Sequence, residues 1–202
     1  MTHYLTFAYH VTQKQMQKPN FKQLVLATVV GCLVMFTWGG LSHLVIFEGT
    51  GFKPLPHEDH LMKTMKENIS EPGLYLFPGI DFKNATVEQR TSWENKFKTG
   101  PAGMLVYRPV GGNPFSPGKL VVQFISNFIS VLIVTLVASL LYTTYWGRVG
   151  IISLLGILTC SSVSTIYWNW YEYPTSFFMA QVLDMLIGFF LAGLVICRIL
   201  KC

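Results

Sequence analysis

One carboxylate and one imidazole interrupt long apolar stretches of this chain: Asp184, within "QVLDMLIGFF", and His43, within "GGLSHLVIF". If the surroundings are hydrocarbon, an ionised carboxylate costs roughly 2.5 kcal/mol or more, so a partner is expected. Other polar side chains fall in similar settings. Gln123, Ser126, Asn127 and Ser130 are spaced i, i+3, i+4 and i+7, which is one face of a helix. Thr165 follows serines at 161, 162 and 164, and Gln181 precedes Asp184 by three residues. His43, Gln123, Asn127, Thr165, Gln181 and Asp184 are expected to converge on a polar pocket, with His43 and Asn127 the natural partners of Asp184. An Asp–His pair there relays a proton, coordinates a cation or holds a ligand headgroup. A hydrogen-bonded Asp184 acting as glue between helices is the structural alternative, and both readings stand.

Other chemistries fit less well. "HEDH", His57 to His60, offers two histidines spaced by three, hence only two good metal donors, and acidic residues suit the first turn of a helix without any metal. No metal site is expected. A bis-histidine haem needs two facing histidines, and the apolar stretches contain only His43. There is no G-x-S-x-G for a serine nucleophile, and the glycine pairs at 39–40 and 111–112 lack the context of a phosphate loop. Gly39 and Gly40, with Gly188 and Ala192, are expected to let helices approach closely. Cys32, Cys160 and Cys197 lie in apolar runs, Cys202 ends the sequence, and no C-x-x-C suggests thiol–disulfide exchange. No cofactor is implied by any of these residues.

The elements that must position these groups are long and apolar. Four runs, Leu24–Ile46, Leu120–Tyr142, Val149–Trp168 and about Ser176–Ile199, each approach the ~20 residues that cross a hydrocarbon core as a helix. The first is too long for a signal-peptide core and has no small-residue cleavage site, so it is read as retained. Charged residues make up only 12% of the 202, about half the usual share of a soluble domain. The net charge of +5 could suggest nucleic acid, but its distribution excludes that partner. Lys14, Lys18, Lys22, Arg148, Arg198 and Lys201 fall on one side of the four spans with no acid among them. Between the first two spans, Glu48–Gly118 holds eight basic and eight acidic residues and is neutral. That bias places both termini in the cytoplasm and residues 48–118 outside.

The expected fold is an all-α membrane protein: a four-helix transmembrane bundle with a small α+β extracytoplasmic cap between the first and second spans. It divides into a cytoplasmic tail (1–22), a first transmembrane helix (23–47), the cap (48–118) and three further transmembrane helices with a short C-terminus (119–202). Tyr4, Phe7, Ala8 and Val11 share a helical face, so the tail is either an interfacial helix or a disordered arm. Within the cap, "LPHEDHLMKTMKENI" reads as a helix, "GLYLFPG" and "GMLVYRPVGG" read as strands, and Thr86-x-x-Gln89 is a capping box opening a second helix that stops near Gly100. So small a core, without disulfides, should lean on the membrane helices or on a partner. There is no internal repeat, which weakens a transporter reading.

Aromatic residues gather in "YWNWYEYP", read as the turn between the third and fourth spans. Tyr167, Trp168, Trp170, Tyr171 and Tyr173 suit the membrane–water interface, where rings with an apolar body and a polar tip settle, and they offer a docking surface.

At "GPAGMLVYRPVGG" and "YWNWYEYPTSFF" the chain is similar to uncharacterised small bacterial inner-membrane proteins with four spans. The resemblance implies a multi-pass protein of the bacterial inner membrane and no particular activity. The topology also resembles claudin-like proteins, but their W…GLW…C…C pattern is absent, so their function does not carry over. The function expected from the residues is a binding or accessory subunit that docks a membrane complex or lipid through the cap and aromatic turn. The alternative is a small membrane enzyme or proton-coupled site using the Asp/His pocket. Expected partners are lipid and a membrane protein complex or a second copy of the chain.

Overall fold

The computed structural model describes residues 19–201; the tail, read as either an interfacial helix or a disordered arm, lies almost wholly outside them. Four helices are long and apolar enough to cross a membrane, spanning Phe21–Ile46, Pro117–Leu140, Tyr145–Trp170 and Thr175–Ile199. Between the first two lies a small cap with a two-stranded hairpin.

Helix α1, Phe21–Leu41, opens on a capping box that the sequence reading passed over. The Asn20 side chain accepts from the Gln23 N–H at 2.9 Å, and the Gln23 side chain accepts from the Asn20 N–H at 2.9 Å. Two orphan donors of the first turn are thereby satisfied before the chain enters its apolar run. The last turn of this span widens into a π-helix, Ser42–Ile46, closed by the Phe47 N–H on the Ser42 carbonyl at 2.7 Å.

The cap follows. Helix α2, Glu58–Asn68, carries Glu58 and Asp59 in its first turn and Lys66 in its last, which complements the helix dipole at both ends. Strands β1, Gly73–Phe77, and β2, Gly103–Tyr107, pair antiparallel with Leu74 opposite Val106 and Tyr75 opposite Leu105. Helix α3, Val87–Thr99, begins with the expected reciprocal capping box between Thr86 and Gln89. Trp93 holds α3 to the preceding loop. Its indole N–H donates to the Pro78 carbonyl at 2.9 Å, and its ring lies 5.4 Å from Phe82 and 5.5 Å from Phe97.

The remaining spans are α4, Pro117–Leu140; α5, Tyr145–Ser162, continued after Val163 by a short α6, Ser164–Trp170; and α7, Thr175–Ile199. The first pairs extensively with α4 and with α7, while α5 packs on α7; α4 touches α5 and α7 only sparsely. The spatial order is therefore α4, α1, α7, α5. Gln23 reaches the Ile199 carbonyl at 3.5 Å, and Gly51 and Phe52 lie against Phe177, so the chain returns to the end of the bundle from which α1 starts.

The core is a layer of small and β-branched residues, with Ala27, Cys32, Val131, Ala138, Ile152, Ala192, Ile196 and Cys197 fully enclosed. Close approach depends on glycines other than the pair first expected. Nothing lies within 4 Å of a side chain built at Gly39 or Gly40, so the expectation is corrected for that pair, while it holds at Gly188 and at the fully buried Ala192. At Gly156 a Cβ would sit 2.8 Å from the Met185 carbonyl, and at Gly188 it would sit 3.0 Å from the Trp38 ring. Close approach is required at Gly156 and Gly188, across α7, and at Gly31 of α1, where a Cβ would sit 2.9 Å from Val131, but not at the Gly-Gly step of α1.

Candidate functional site

Asp184 sits on the inner face of α7 and is 5% exposed. Its Oδ1 is buried and has no hydrogen-bond partner, which makes it the most conspicuous polar atom of the described bundle. Two neighbouring spans close around it. From α1, the Trp38 indole N–H donates to the Asp184 main-chain carbonyl at 3.0 Å. From α5, the Cys160 thiol donates to the Gln181 carbonyl at 3.3 Å, one turn before Asp184, with the Ser164 hydroxyl and the Asp184 carboxylate as its polar neighbours. Gly188, one turn further along α7, leaves the space that the Trp38 ring occupies.

Backbone irregularity lies beside this site. The first span turns π-helical four residues after Trp38, and the third span breaks at Val163, three residues after Cys160. Both elements that cover Asp184 are thus interrupted about one turn beyond it, toward the cap. Departures from α-helix inside a membrane are tolerated where protein or a cavity receives the freed backbone groups.

The other residues expected in the pocket are distributed as follows. His43 is exposed on the π-turn, where its Nδ1 lies 3.0 Å from both the Gly39 carbonyl and the Ser42 hydroxyl. Gln123 is exposed on α4 and donates through Nε2 to Asn127 Oδ1 at 3.0 Å; Asn127 is half-buried. Thr165 is half-buried on α6, and Gln181 is half-buried on α7. Among the described residues no hydrogen bond joins His43, or the Gln123–Asn127 pair, to Asp184. The groups brought near Asp184 are instead Trp38, bonded to its main-chain carbonyl, and Cys160. The signal for Trp38 was in the sequence, because an indole N–H within an aliphatic span needs an acceptor. Cys160 carried no such signal.

The aromatic segment is more ordered than a turn. Tyr167, Trp168 and Trp170 belong to α6, and only Tyr171–Pro174 form the connection to α7. Trp168 stacks on Phe178 with centroids 5.1 Å apart and donates to the Thr175 hydroxyl at 3.2 Å. A second set of rings runs from Tyr171 through Tyr167, Tyr173 and Phe177 to Phe52, with centroids 5.4 to 5.8 Å apart. Such edge and tilted pairs add about 0.5–1.5 kcal/mol each beyond their area burial. This ladder joins the third span, the fourth span and the start of the cap. Trp170, 76% exposed, is outside it and faces away from the bundle.

Outside the spans, the Asp81 carboxyl is held below the usual carboxylate range, first by the Asn84 amide and then by the Lys83 main-chain N–H. These bonds measure 2.7 and 3.0 Å and shape the loop that enters α3. Asp59 and Glu58 of "HEDH" occupy the first turn of α2, and no cluster of three or more metal-ligating side chains occurs among the described residues.

No family model, curated protein or solved structure matches the chain, so the meaning of the site rests on its own residues and geometry.

Proposed function

We propose that this chain is an accessory subunit of a membrane complex, which it grips through the cap and the aromatic segment. One observation carries the reading: no residue between 48 and 118 is buried. Leu74 and Val106, directly opposite in the hairpin, are 65% and 74% exposed, and Val87, Val110 and Phe115 are also bare. Ordering some seventy residues costs on the order of 1–2 kcal/mol of backbone entropy each, and a cap without a buried interior recovers little of it from itself. A protein partner covering the hairpin supplies the missing burial. Tyr167, Tyr171 and Tyr173 brace the cap's root, Trp168 fixes α6 against α7, and Trp170 extends the contact surface at the interface with lipid.

The one-sided basic residues support an inner-membrane orientation with both termini cytoplasmic. With Cys202 replaced by serine, a cysteine at Lys83 should react with an impermeant maleimide in intact cells and one at Thr143 should not; the reverse would invert the protein. The docking itself is tested by solubilising native membranes in mild detergent. A stoichiometric partner is expected with the wild type and is expected to be lost from Leu74→Lys/Val106→Lys. Identical co-purification with both forms would refute the role of the cap.

The orphan oxygen of Asp184 favours a second reading, a proton-coupled or enzymatic site in the outer half of the bundle. Under it, Asp184→Asn and Asp184→Leu both fold and both lose the activity of the assembly. As structural glue, Asp184→Asn is tolerated and Asp184→Leu alters only stability.

A further inference from the structure

The polar face of α4 fits neither the interior of the bundle nor lipid. Gln123 and Ser126 are exposed, Asn127 and Ser130 are half-buried, and the Gln123–Asn127 amides are bonded only to each other. Gln123 lies six residues into a 24-residue helix, roughly 9 Å along a length of ~36 Å, so a ~30 Å hydrocarbon core encloses all four positions. Acyl chains offer no hydrogen bonds to the spare amide protons and carbonyls. The helix turns Phe124 toward α1, where its ring meets Phe36 at 5.5 Å and its carbonyl faces the Cys32 thiol. Ser126 points roughly opposite, about 200° around the helix. Beside it Val122, Ile129 and Ile133 are also exposed, so no helix of the same chain covers this side.

We infer that this stripe is a transmembrane helix–helix interface, and that its occupant is α4 of a second copy of the chain. Ser126 and Ser130, four residues apart, form a small-xxx-small step that lets two backbones approach. The flanking amides carry a donor and an acceptor in the same group. Two copies in one membrane share an orientation, so a two-fold axis along the membrane normal sets each of the four residues beside its own counterpart. Every group in the stripe is then satisfied by itself, with no complementary sequence required of another chain. The position of α4 at the end of the row α4, α1, α7, α5 leaves this side unobstructed. This surface is distinct from the cap, so the dimer stands or falls independently of cap docking.

The test is cross-linking of the full chain in native membranes, on a Cys202→Ser background in which the other three cysteines are buried. Ser126→Cys should form a disulfide-linked homodimer far above the level of Leu33→Cys, an exposed position on α1. Adding Gln123→Leu and Asn127→Leu should weaken the dimer roughly five- to tenfold, read as a shift in the protein-to-lipid ratio at half-maximal cross-linking. Light scattering of the wild type in nanodiscs or mild detergent, independent of any variant, should give twice the 22.8 kDa chain mass. The inference is overturned by cross-linking no greater than at Leu33→Cys, by a Ser126→Cys adduct with a different protein, or by rapid labelling of that thiol with an impermeant reagent, which would reveal a water-filled cleft.

Discussion

The indole N–H of Trp38 donates to the main-chain carbonyl of Asp184 at 3.0 Å, and the ring fills the gap left by Gly188 one turn along the same helix. This contact couples the first span to the fourth at the depth of the buried carboxylate. Trp38→Phe keeps most of the ring and removes the donor, so a loss of about 1 kcal/mol is expected. Trp38→Ala should cost about 3 kcal/mol or more, because the space beside Gly188 is then empty. Unfolding midpoints in mixed micelles of rising SDS fraction report both.

Glycine substitutions should separate the tight interface from the loose one. Gly156→Val forces a side chain against the Met185 carbonyl and the Phe189 ring, and a destabilisation of about 1–3 kcal/mol is expected. Gly40→Ala meets nothing within 4 Å and should be neutral or stabilising by up to about 1 kcal/mol. Equal effects at the two sites in the same SDS assay would contradict the packing of α5 on α7.

Two threonine hydroxyls, those of Thr28 on α1 and Thr135 on α4, are buried without a hydrogen-bond partner. Thr135→Val keeps the shape and deletes an unsatisfied group, so stability should rise by about 1 kcal/mol. A drop of that size would mean that the hydroxyl is bonded in the membrane.

The cap should not fold alone. Residues 48–118 expressed without the spans lose the Phe52–Phe177 contact and retain no buried residue, and a cooperative thermal transition by circular dichroism is not expected. Observation of a sharp transition would show that the hairpin and helices carry a sufficient core.

Acid should loosen the entry to α3 within the intact protein. The Asp81 carboxyl titrates below its unfolded value because the Asn84 amide, first, and the Lys83 N–H bond its charged form. Its contribution is therefore fully present above about pH 4 and is lost as pH falls through the lowered folded value. Amide exchange at Lys83, corrected for intrinsic rates, should quicken as the pH falls below about 4, and Asp81→Ala should abolish that pH dependence.

Much of the architecture was legible in local sequence because its causes are local. Twenty apolar residues must form a helix in hydrocarbon, since no water satisfies the backbone there, and that alone sets four spans from the run at Leu24 to the run at Ser176. Capping is equally local: Thr86 and Gln89 announce α3 three residues apart, and the Gly and Pro bounding the apolar runs at Leu74 and Val106 announce the strands. What the chain could not announce is which faces meet. A helix wheel groups Gln123 with Asn127, and the structure keeps that pair together. Whether that face turns toward Asp184, toward lipid or toward another molecule depends on helix rotation and order, which arise from packing across the bundle. Only the tertiary structure ranks the spans as α4, α1, α7, α5, sets Trp38 and Cys160 beside Asp184, and leaves His43 on its own turn. The physical reason is that, polar positions such as the stripe on α4 aside, apolar residues lie all round these helices. Partner choice then falls to a few glycines and bulky neighbours, such as Gly156 against Met185 and Gly188 against Trp38, whose complementarity exists only once the helices are side by side.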